Sequence, residues 1–327
     1  METVRLGKSG LKVSNICLGT MTFGAGADES MAFKIMDRFV ELGGTFLDTA
    51  NVYSGGVSEE TVGRWIKARG VREEIVLATK VYGGTGPGPN ERGLSRIHIQ
   101  RAVEASLKRL QIDVIDLYQI HRWDVESEPE ETMEALNDLV RQGKVRYIGC
   151  SNLRAWQLST YLNIAKEKGY SRFISIQPLF SALNRSIENE VLPFCDRIGM
   201  GVIPYNPLAG GVLTGKYKRN APLPESTRLG DNAGYRQRYY TERMFDIVEG
   251  FVEVAAAHGV TPAQLALAWV RADSRITSPI IGARNLTQLN DTLGKLDFAL
   301  TPEERAAIPA VLPGRWVGKD PVYDRTN

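Results

Sequence analysis

The chain of 327 residues carries 40 Lys and Arg against 38 Asp and Glu, a net charge of +2, and 43% of its residues are hydrophobic. This near balance gives no field that would favour nucleic acid or an anionic membrane, so we expect a small molecule as the partner. Neither an apolar run of about 18 residues nor a signal peptide is recognisable, which predicts a cytoplasmic protein with no membrane contact.

Short apolar runs rich in Val, Ile and Tyr alternate with amphipathic stretches, a pattern typical of repeated βα units around a parallel sheet. The first predicted element is an N-terminal β-hairpin over residues 4–13 that turns at Lys8-Ser9-Gly10. Eight strands are predicted next, at residues 16–18, 45–47, 75–79, 114–120, 147–150, 173–176, 202–204 and 278–281. Eight such units predict a (β/α)8 TIM barrel, and the simplest organisation is a single domain over residues 1–327.

The segments between the strands carry helix signals. One apolar face ends before Gly43 and another before Gly143, and glycine at such positions is typical of a helix C-terminus. The Thr-Pro pairs at 261–262 and 301–302 begin capping boxes with proline at the first helical position. Further helices are therefore predicted in the C-terminal third of the chain.

Two segments lack a helical pattern and are predicted to be long loops. Residues 83–93 are rich in Gly and Pro, and residues 216–241 carry Pro222, Pro224 and several Arg and Tyr. Long loops in a compact barrel usually act as lids or binding loops, so we expect both to lie at the C-terminal face.

The three cysteines, Cys17, Cys150 and Cys195, are widely spaced and lie in apolar stretches. No C-x-x-C pair and no Cys/His spacing typical of a metal site is present. We therefore predict reduced thiols in the core and no metal site.

The active site of a (β/α)8 barrel is assembled at the C-terminal ends of its strands. The residues that follow the predicted strands are polar, ionisable or backbone-exposing in all eight cases: Gly19-Thr20, Asp48, Lys80, His121, Ser151-Asn152, Gln177, Tyr205 and Gly282. Each has a structural explanation when taken singly, as a loop cap, a surface lysine or a histidine that ends a strand. Their joint occurrence favours an active site, whereas His98 and His258 lie in predicted helices and are interpreted as structural.

A resemblance to a known family is carried by motifs along nearly the whole chain. The first three are LGKSGLKVS at residues 6–14, LGTMTFG at 18–24 and FLDTANVY at 46–53, and the others follow in order at 79–80, 119–121, 149–152, 177–178, 205–208 and 281–284. On these motifs the chain resembles the aldo-keto reductase superfamily. The hairpin start and the long segment after Lys216 are closer to the branch that contains aryl-alcohol dehydrogenases and potassium-channel β-subunits.

Reduction of a carbonyl, which the resemblance implies, needs a hydride on carbon and a proton on oxygen. Tyr53 is the predicted proton donor. A free tyrosine has a pKa of about 10; Lys80 is expected to lower it, and Asp48 is expected to hold the lysine in place. A neutral His121 would donate a hydrogen bond to the substrate oxygen. The resemblance assigns the same roles to these four residues.

No G-x-G-x-x-G follows a predicted strand, which argues against a Rossmann domain but not against nicotinamide. The resemblance implies that NADP(H) lies extended across the barrel mouth, with Ser151, Asn152 and Gln177 at the carboxamide and Tyr205 stacked on the ring. The full implied cofactor set is Gly19, Thr20, Met21, Asp48, Ser151, Asn152, Gln177, Tyr205, Asn206, Pro207, Leu208, Gly210, Lys216, Arg228, Gly282, Ala283, Arg284, Gln288 and Asp291.

Arg284 offers a planar cation where a 2′-phosphate would lie, which favours NADP over NAD. Two positions depart from the family's pattern. Gln288 stands where some branches carry an arginine, and Thr292 stands where an asparagine often contacts adenine.

Two alternative functions have some support in the sequence. Residues 210–216 match the first seven positions of a phosphate-binding P-loop, but Tyr217 replaces the Ser or Thr that would ligate Mg²⁺. The second alternative is a regulatory subunit that binds a nicotinamide nucleotide with little turnover. The complete set of four catalytic residues favours a working reductase, because the channel β-subunit branch tends to carry Asn at the position of His121.

The substrate is expected to be a small carbonyl compound whose identity the sequence leaves open. Its pocket is predicted to be lined by Met21, Asn51, Val52, Tyr82, Trp123 and Trp316. Arg122 is expected to contact either an anionic group of the substrate or a carboxylate on the protein surface.

Overall fold

A computed structural model describes residues 1–225 and 227–311, and the side chains of all of these except 309–311. Its N-terminal hairpin consists of β1 (Thr3–Arg5) and β2 (Lys12–Ser14), which pair antiparallel with Val4 opposite Val13. The predicted hairpin is confirmed.

Eight parallel strands form one sheet within the described residues. In chain order they are β3 (Cys17–Gly19), β4 (Phe46–Asp48), β5 (Val76–Val81), β6 (Ile115–Ile120), β7 (Val145–Ser151), β8 (Phe173–Gln177), β9 (Gly201–Val202) and β10 (Ile280–Ile281). The neighbours run β10-β3-β4-β5-β6-β7-β8-β9. The ring closes where Tyr205 bridges Ile280, whose N–H donates to the carbonyl of Pro204 at 2.8 Å. The fold is a (β/α)8 barrel, as predicted.

The two strands at this closure are shorter than the sequence pattern indicated. The seventh was expected to run to Pro204 but ends at Val202, and the eighth was expected to begin at 278 but begins at Ile280. Proline has no N–H to donate to a strand ladder, and Pro204 and Pro279 stand at these two ends.

Helices surround the sheet. They are α1 (Glu29–Glu41), α2 (Val57–Arg69), α3 (Arg96–Leu110), α4 (Pro129–Arg141), α5 (Ala155–Lys168), α6 (Val191–Ile198), α7 (Arg228–Asp231), α8 (Ala233–Tyr239), α9 (Glu242–Ala257), α10 (Pro262–Arg271), α11 (Leu286–Leu293) and α12 (Pro302–Val311). The capping box at Thr261 is present in full. Among the described residues, no helix combines the length and the apolar character needed to span a membrane.

The prediction that residues 216–241 form a loop without helix is wrong, because α7 and α8 lie there. Each begins at a side-chain cap: the Thr227 hydroxyl accepts from the N–H of Gly230, and the Asn232 carboxamide accepts from the N–H of Tyr235. Such caps satisfy backbone N–H groups that would otherwise lack a partner at a helix start. The prolines and glycines of the segment obscured these two short helices.

The core has two parts. Most buried apolar side chains lie between the strands and the helices, and a smaller cluster combines Cys17, Phe46, Leu117 and Ile203 with Leu6 and Val13 of the hairpin. The hairpin therefore packs against the barrel interior. All three cysteines are buried and free, as predicted.

Candidate active site

The C-terminal ends of the strands face a cavity of about 1280 Å³. Gly19, Asp48, Ser151 and Gln177 are the last residues of their strands, and His121 directly follows β6. All the predicted catalytic and cofactor residues line this cavity except Lys80 and Thr20, which are fully buried. The strand-end pattern thus brings the predicted set together around one opening.

Lys80 lies within β5 rather than after it, and its side chain is fully buried. The ammonium donates to Asp48 Oδ2 at 2.5 Å, to the carbonyl of Thr49 at 2.8 Å and to Tyr53 Oη at 3.1 Å. A lysine has three N–H donors, so this arrangement occupies all of them. The ammonium therefore connects the carboxylate to the phenol at the base of the cavity.

The charge state of this group follows from burial and pairing. Burial alone would lower the pKa of Lys80, but Asp48 and then Tyr53 more than offset it, and the pKa rises above its ordinary value. Burial raises the pKa of Tyr53, and Lys80 offsets only part of that effect. The expected lowering of the Tyr53 pKa is therefore not found, and the side chain is a neutral phenol next to a cation at neutral pH.

The second oxygen of Asp48 is bonded to two amide groups. Oδ1 accepts from Gln177 Nε2 at 2.8 Å and from Gln119 Nε2 at 3.1 Å. Gln119 was not among the predicted site residues. It lies two residues before His121 on β6 and opposite Lys80 on β5, so the period of two along a strand could have revealed it. With Lys80, these amides fix both oxygens of the carboxylate.

His121 faces the cavity beside Tyr53, with 6.0 Å between the two ring centres and 79° between their planes. Burial lowers the pKa of His121 to about 3, and the positive charges of Lys80 and Arg122 contribute to the shift. The imidazole is therefore neutral at physiological pH, as the sequence analysis predicted. A neutral imidazole keeps one N–H that can be donated to a ligand oxygen.

Ser151, Asn152 and Tyr205 form a chain of hydrogen bonds beside His121. The Ser151 hydroxyl donates to the Gln177 carbonyl at 2.7 Å, and Asn152 Nδ2 donates to Ser151 Oγ at 2.9 Å and to the carbonyl of His121 at 3.1 Å. Tyr205 Oη donates to Asn152 Oδ1 at 3.0 Å. Ser151 and Asn152, which the resemblance places at the carboxamide, are therefore hydrogen-bonded to each other, and Tyr205 is hydrogen-bonded to Asn152.

One end of the cavity is cationic. Lys216, Arg228 and Arg284 line it, and burial lowers the pKa of Lys216 while Arg284 and Arg228 lower it further. Gly211 has a φ of +85°, and a Cβ there would come within 2.9 Å of the Lys216 ammonium. The backbone thus approaches a cluster of like charges, an arrangement that favours a bound anion.

Arg284 makes an ion pair across this end of the cavity. Its guanidinium lies 3.2 Å from Asp231 Oδ2, the last residue of α7. Two further lining residues of the same segment, Tyr235 and Arg238 on α8, were not predicted. The closely spaced Arg and Tyr of residues 235–240 were the available signal, but it was interpreted only as a binding loop.

Another end of the cavity, near His121, is lined by Met21, Tyr82, Trp123 and the loop at 83–93, as predicted. Asn51 and Val52 do not line it: Asn51 is 2% exposed and its Nδ2 donates to the carbonyl of Gly83, and Val52 packs beneath the same glycine. Both residues contact the 83–93 loop instead of facing the cavity. Trp316 lies outside the described residues.

Comparison with known proteins decides the family. Residues 15–313 match the model of the aldo/keto reductase family. The chain belongs to this family. Uncharacterized oxidoreductase YrpG of Bacillus subtilis is 41% identical over 324 residues, which cover 96% of this chain and 97% of that protein.

Two further relatives of this aldo/keto reductase are a reductase and a potassium channel subunit, and the second supports the predicted branch. Versiconal hemiacetal acetate reductase of Aspergillus parasiticus is 37% identical over 93% of this chain and 95% of its own length. A probable voltage-gated potassium channel subunit beta of Arabidopsis thaliana is 37% identical over 92% and 94%. The predicted family and branch are confirmed.

Proposed function

We propose that this protein catalyses the NADPH-dependent reduction of an aldehyde or ketone to an alcohol, with Tyr53 as the proton donor. The proposal rests on the Lys80 ammonium, which donates hydrogen bonds to both Asp48 Oδ2 and Tyr53 Oη at the base of the cavity. Bound NADPH would supply the hydride. The chain supplies the proton and the groups that orient the substrate.

The residues present fit such a cofactor. The cavity exceeds the roughly 300–1,000 Å³ of a typical small-molecule pocket, so a dinucleotide and a substrate can share it. Its cationic end suits phosphate, and its polar end carries Ser151, Asn152 and Gln177 where a carboxamide would bind. We propose that the cofactor lies between these ends.

Proton donation in this site depends on a charge that develops during the reaction. The neutral phenol of Tyr53 holds its proton in the resting site because burial raises its pKa. As the proton leaves, negative charge builds on Oη, 3.1 Å from the Lys80 ammonium. Electrostatic stabilisation of charge as it develops is among the largest catalytic effects available to a protein. Neutral His121 would donate its N–H to the carbonyl oxygen of the substrate, which also receives the proton of Tyr53.

Replacement of Arg284 by alanine tests the cofactor preference. Loss of a charge-assisted contact to the 2′-phosphate should weaken NADPH binding by about 1.5–3 kcal/mol and NADH binding little. Fluorescence titration of both cofactors measures the difference. The exposed Arg69→Ala variant, which loses an ion pair with Asp37 outside the cavity, serves as control. Equal losses for the two cofactors would show that Arg284 does not contact the phosphate.

The pH profile of reduction tests the charge state of His121. Because its pKa lies at about 3 rather than the ordinary 6.5, the imidazole stays neutral from about pH 5 to about pH 8. We therefore expect no break in kcat/KM near pH 6.5 as pH falls. A loss of activity through that pH, with an unchanged melting temperature, would show that His121 titrates normally.

A carbonyl panel tests the proposed function as a whole. NADPH oxidation is measured against aromatic aldehydes, methylglyoxal, sugar aldehydes and ketones, with the alcohol product identified by chromatography. We expect oxidation and alcohol in equal amounts with at least one class. NADPH binding without oxidation in any class would instead favour a regulatory subunit that binds the nucleotide with little turnover; the Arabidopsis relative is named a probable voltage-gated potassium channel subunit beta.

A further inference from the structure

Arg122 directly follows His121 and lines the same cavity. Its guanidinium donates to Tyr82 Oη at 2.7 Å and lies 4.1 Å from the centre of the Tyr82 ring. Within the described residues, that hydrogen bond is the only one its side chain makes, and no ion pair with a carboxylate forms within 4.0 Å of it. A guanidinium has five N–H donors, so most of its capacity to bind an anion remains unused.

Two acidic side chains that line this cavity, Asp124 and Asp48, are occupied by other groups. Asp124 is buried, and its oxygens accept from the N–H of Leu94 at 2.7 Å, the hydroxyl of Ser127 at 2.7 Å and the N–H of Glu126 at 3.1 Å. Asp48 is paired with Lys80. Glu126 also lines the cavity, but it is exposed and forms no ion pair with Arg122 among the described residues. None of these three carboxylates is paired with Arg122, so its positive charge acts on the cavity.

The Arg122 guanidinium is held in place by Tyr82, whose backbone conformation is strained. Tyr82 has a φ of +148°, a region that favours glycine, and its carbonyl accepts from the N–H of Gly93 at 2.8 Å across the base of the 83–93 loop. Backbone strain of this kind tends to persist at ligand sites. The Tyr82 ring and hydroxyl together fix the plane of the guanidinium, and a fixed plane suits two-point binding of a carboxylate.

The wall next to this cation is aromatic. The Trp123 ring lies 5.4 Å from that of Trp156 and 5.1 Å from that of Tyr161, and Trp156 is 54% exposed at the cavity mouth. Resting on the proposed function, we propose that the substrate is a carbonyl compound that also carries a carboxylate. Arg122 binds the carboxylate, and the apolar body of the substrate packs against Trp123 and Trp156.

The test compares two aldehydes that differ in charge, 4-carboxybenzaldehyde and its methyl ester. The wild-type protein should prefer the acid, and Arg122→Met should lower the ratio of kcat/KM for acid over ester by about 10–100-fold, the value of one charged hydrogen bond. Arg122→Lys keeps the charge and should recover part of the ratio. Arg146→Met, an exposed arginine paired with Asp116 outside the cavity, should leave the ratio unchanged.

Three results would overturn the inference. The first is that the wild-type protein reduces the acid and the ester equally well. The second is that Arg122→Met slows both reductions equally and has a lower melting temperature, as expected if Arg122 only stabilises the loop. The third is that benzoate does not bind. If neither aldehyde is reduced, benzoate binding measured by tryptophan fluorescence tests the carboxylate site independently of the proposed function. Binding that weakens in Arg122→Met supports the carboxylate site, and no binding contradicts it.

Discussion

Replacement of Tyr53 by phenylalanine is expected to slow aldehyde reduction by about 10²–10⁴-fold, the usual contribution of a general acid. The change removes only the hydroxyl that the Lys80 ammonium contacts at 3.1 Å. The ring remains, so the protein should still fold and bind NADPH. Steady-state reduction of a good aldehyde, fluorescence titration of NADPH and a melting curve measure the three properties on the same preparation.

Tyr147→Phe provides the matched control. Tyr147 lies on β7 and packs against the small cluster inside the barrel, away from the cavity lining. We expect this variant to keep its reduction rate, which would show that loss of a tyrosine hydroxyl from the barrel is not itself damaging. A folded Tyr53→Phe protein with nearly unchanged turnover would remove Tyr53 from the mechanism and make His121 the candidate acid.

Lys80→Met is expected to abolish most turnover and also to destabilise the fold. Asp48 is 2% exposed. Removal of its cationic partner leaves a buried carboxylate whose remaining side-chain hydrogen bonds, among the described residues, come from the amides of Gln119 and Gln177. Breaking a buried pair in this way costs about 3–5 kcal/mol in free energy of unfolding. Denaturant unfolding measures this loss, and NADPH titration should show binding nearly intact in the folded variant.

The double variant Asp48→Asn, Lys80→Met separates stability from catalysis. It removes both charges together, so no buried carboxylate remains, and it should recover part of the lost free energy of unfolding. Turnover should stay low because no ammonium is left beside Tyr53. A single Lys80→Met variant that reduces aldehydes at the wild-type rate would show that the cation next to Tyr53 is not needed.

Much of the fold could be predicted because its signals are local. Apolar runs of strand length, glycines such as Gly43 after helices and the capping box at Thr261 each depend on a few neighbouring residues. Once eight strands were counted, the parallel barrel brought their C-terminal ends together. Asp48, Lys80 and His121 could therefore be placed in one site although they are far apart in sequence.

Features that depend on the assembled structure were harder to predict. The pKa of Tyr53 is set by the surrounding atoms, and burial outweighs the single effect of Lys80 that the sequence suggested. Gln119 becomes part of the site only through its contact with Asp48. Asn51 and Val52 directly precede Tyr53 in sequence but contact Gly83 instead of lining the cavity, and sequence position alone does not give that direction.

Deuterium labelling of the cofactor tests directly whether this protein transfers a hydride from NADPH to a carbonyl carbon. The wild-type protein is given an aldehyde and NADPH deuterated at both C4 positions of the nicotinamide ring, and the alcohol is analysed by mass spectrometry and NMR. We expect one deuterium on the carbinol carbon of each product molecule, formed with equal NADPH oxidation. Alcohol without that deuterium, or no alcohol from any carbonyl class despite tight NADPH binding, would contradict it.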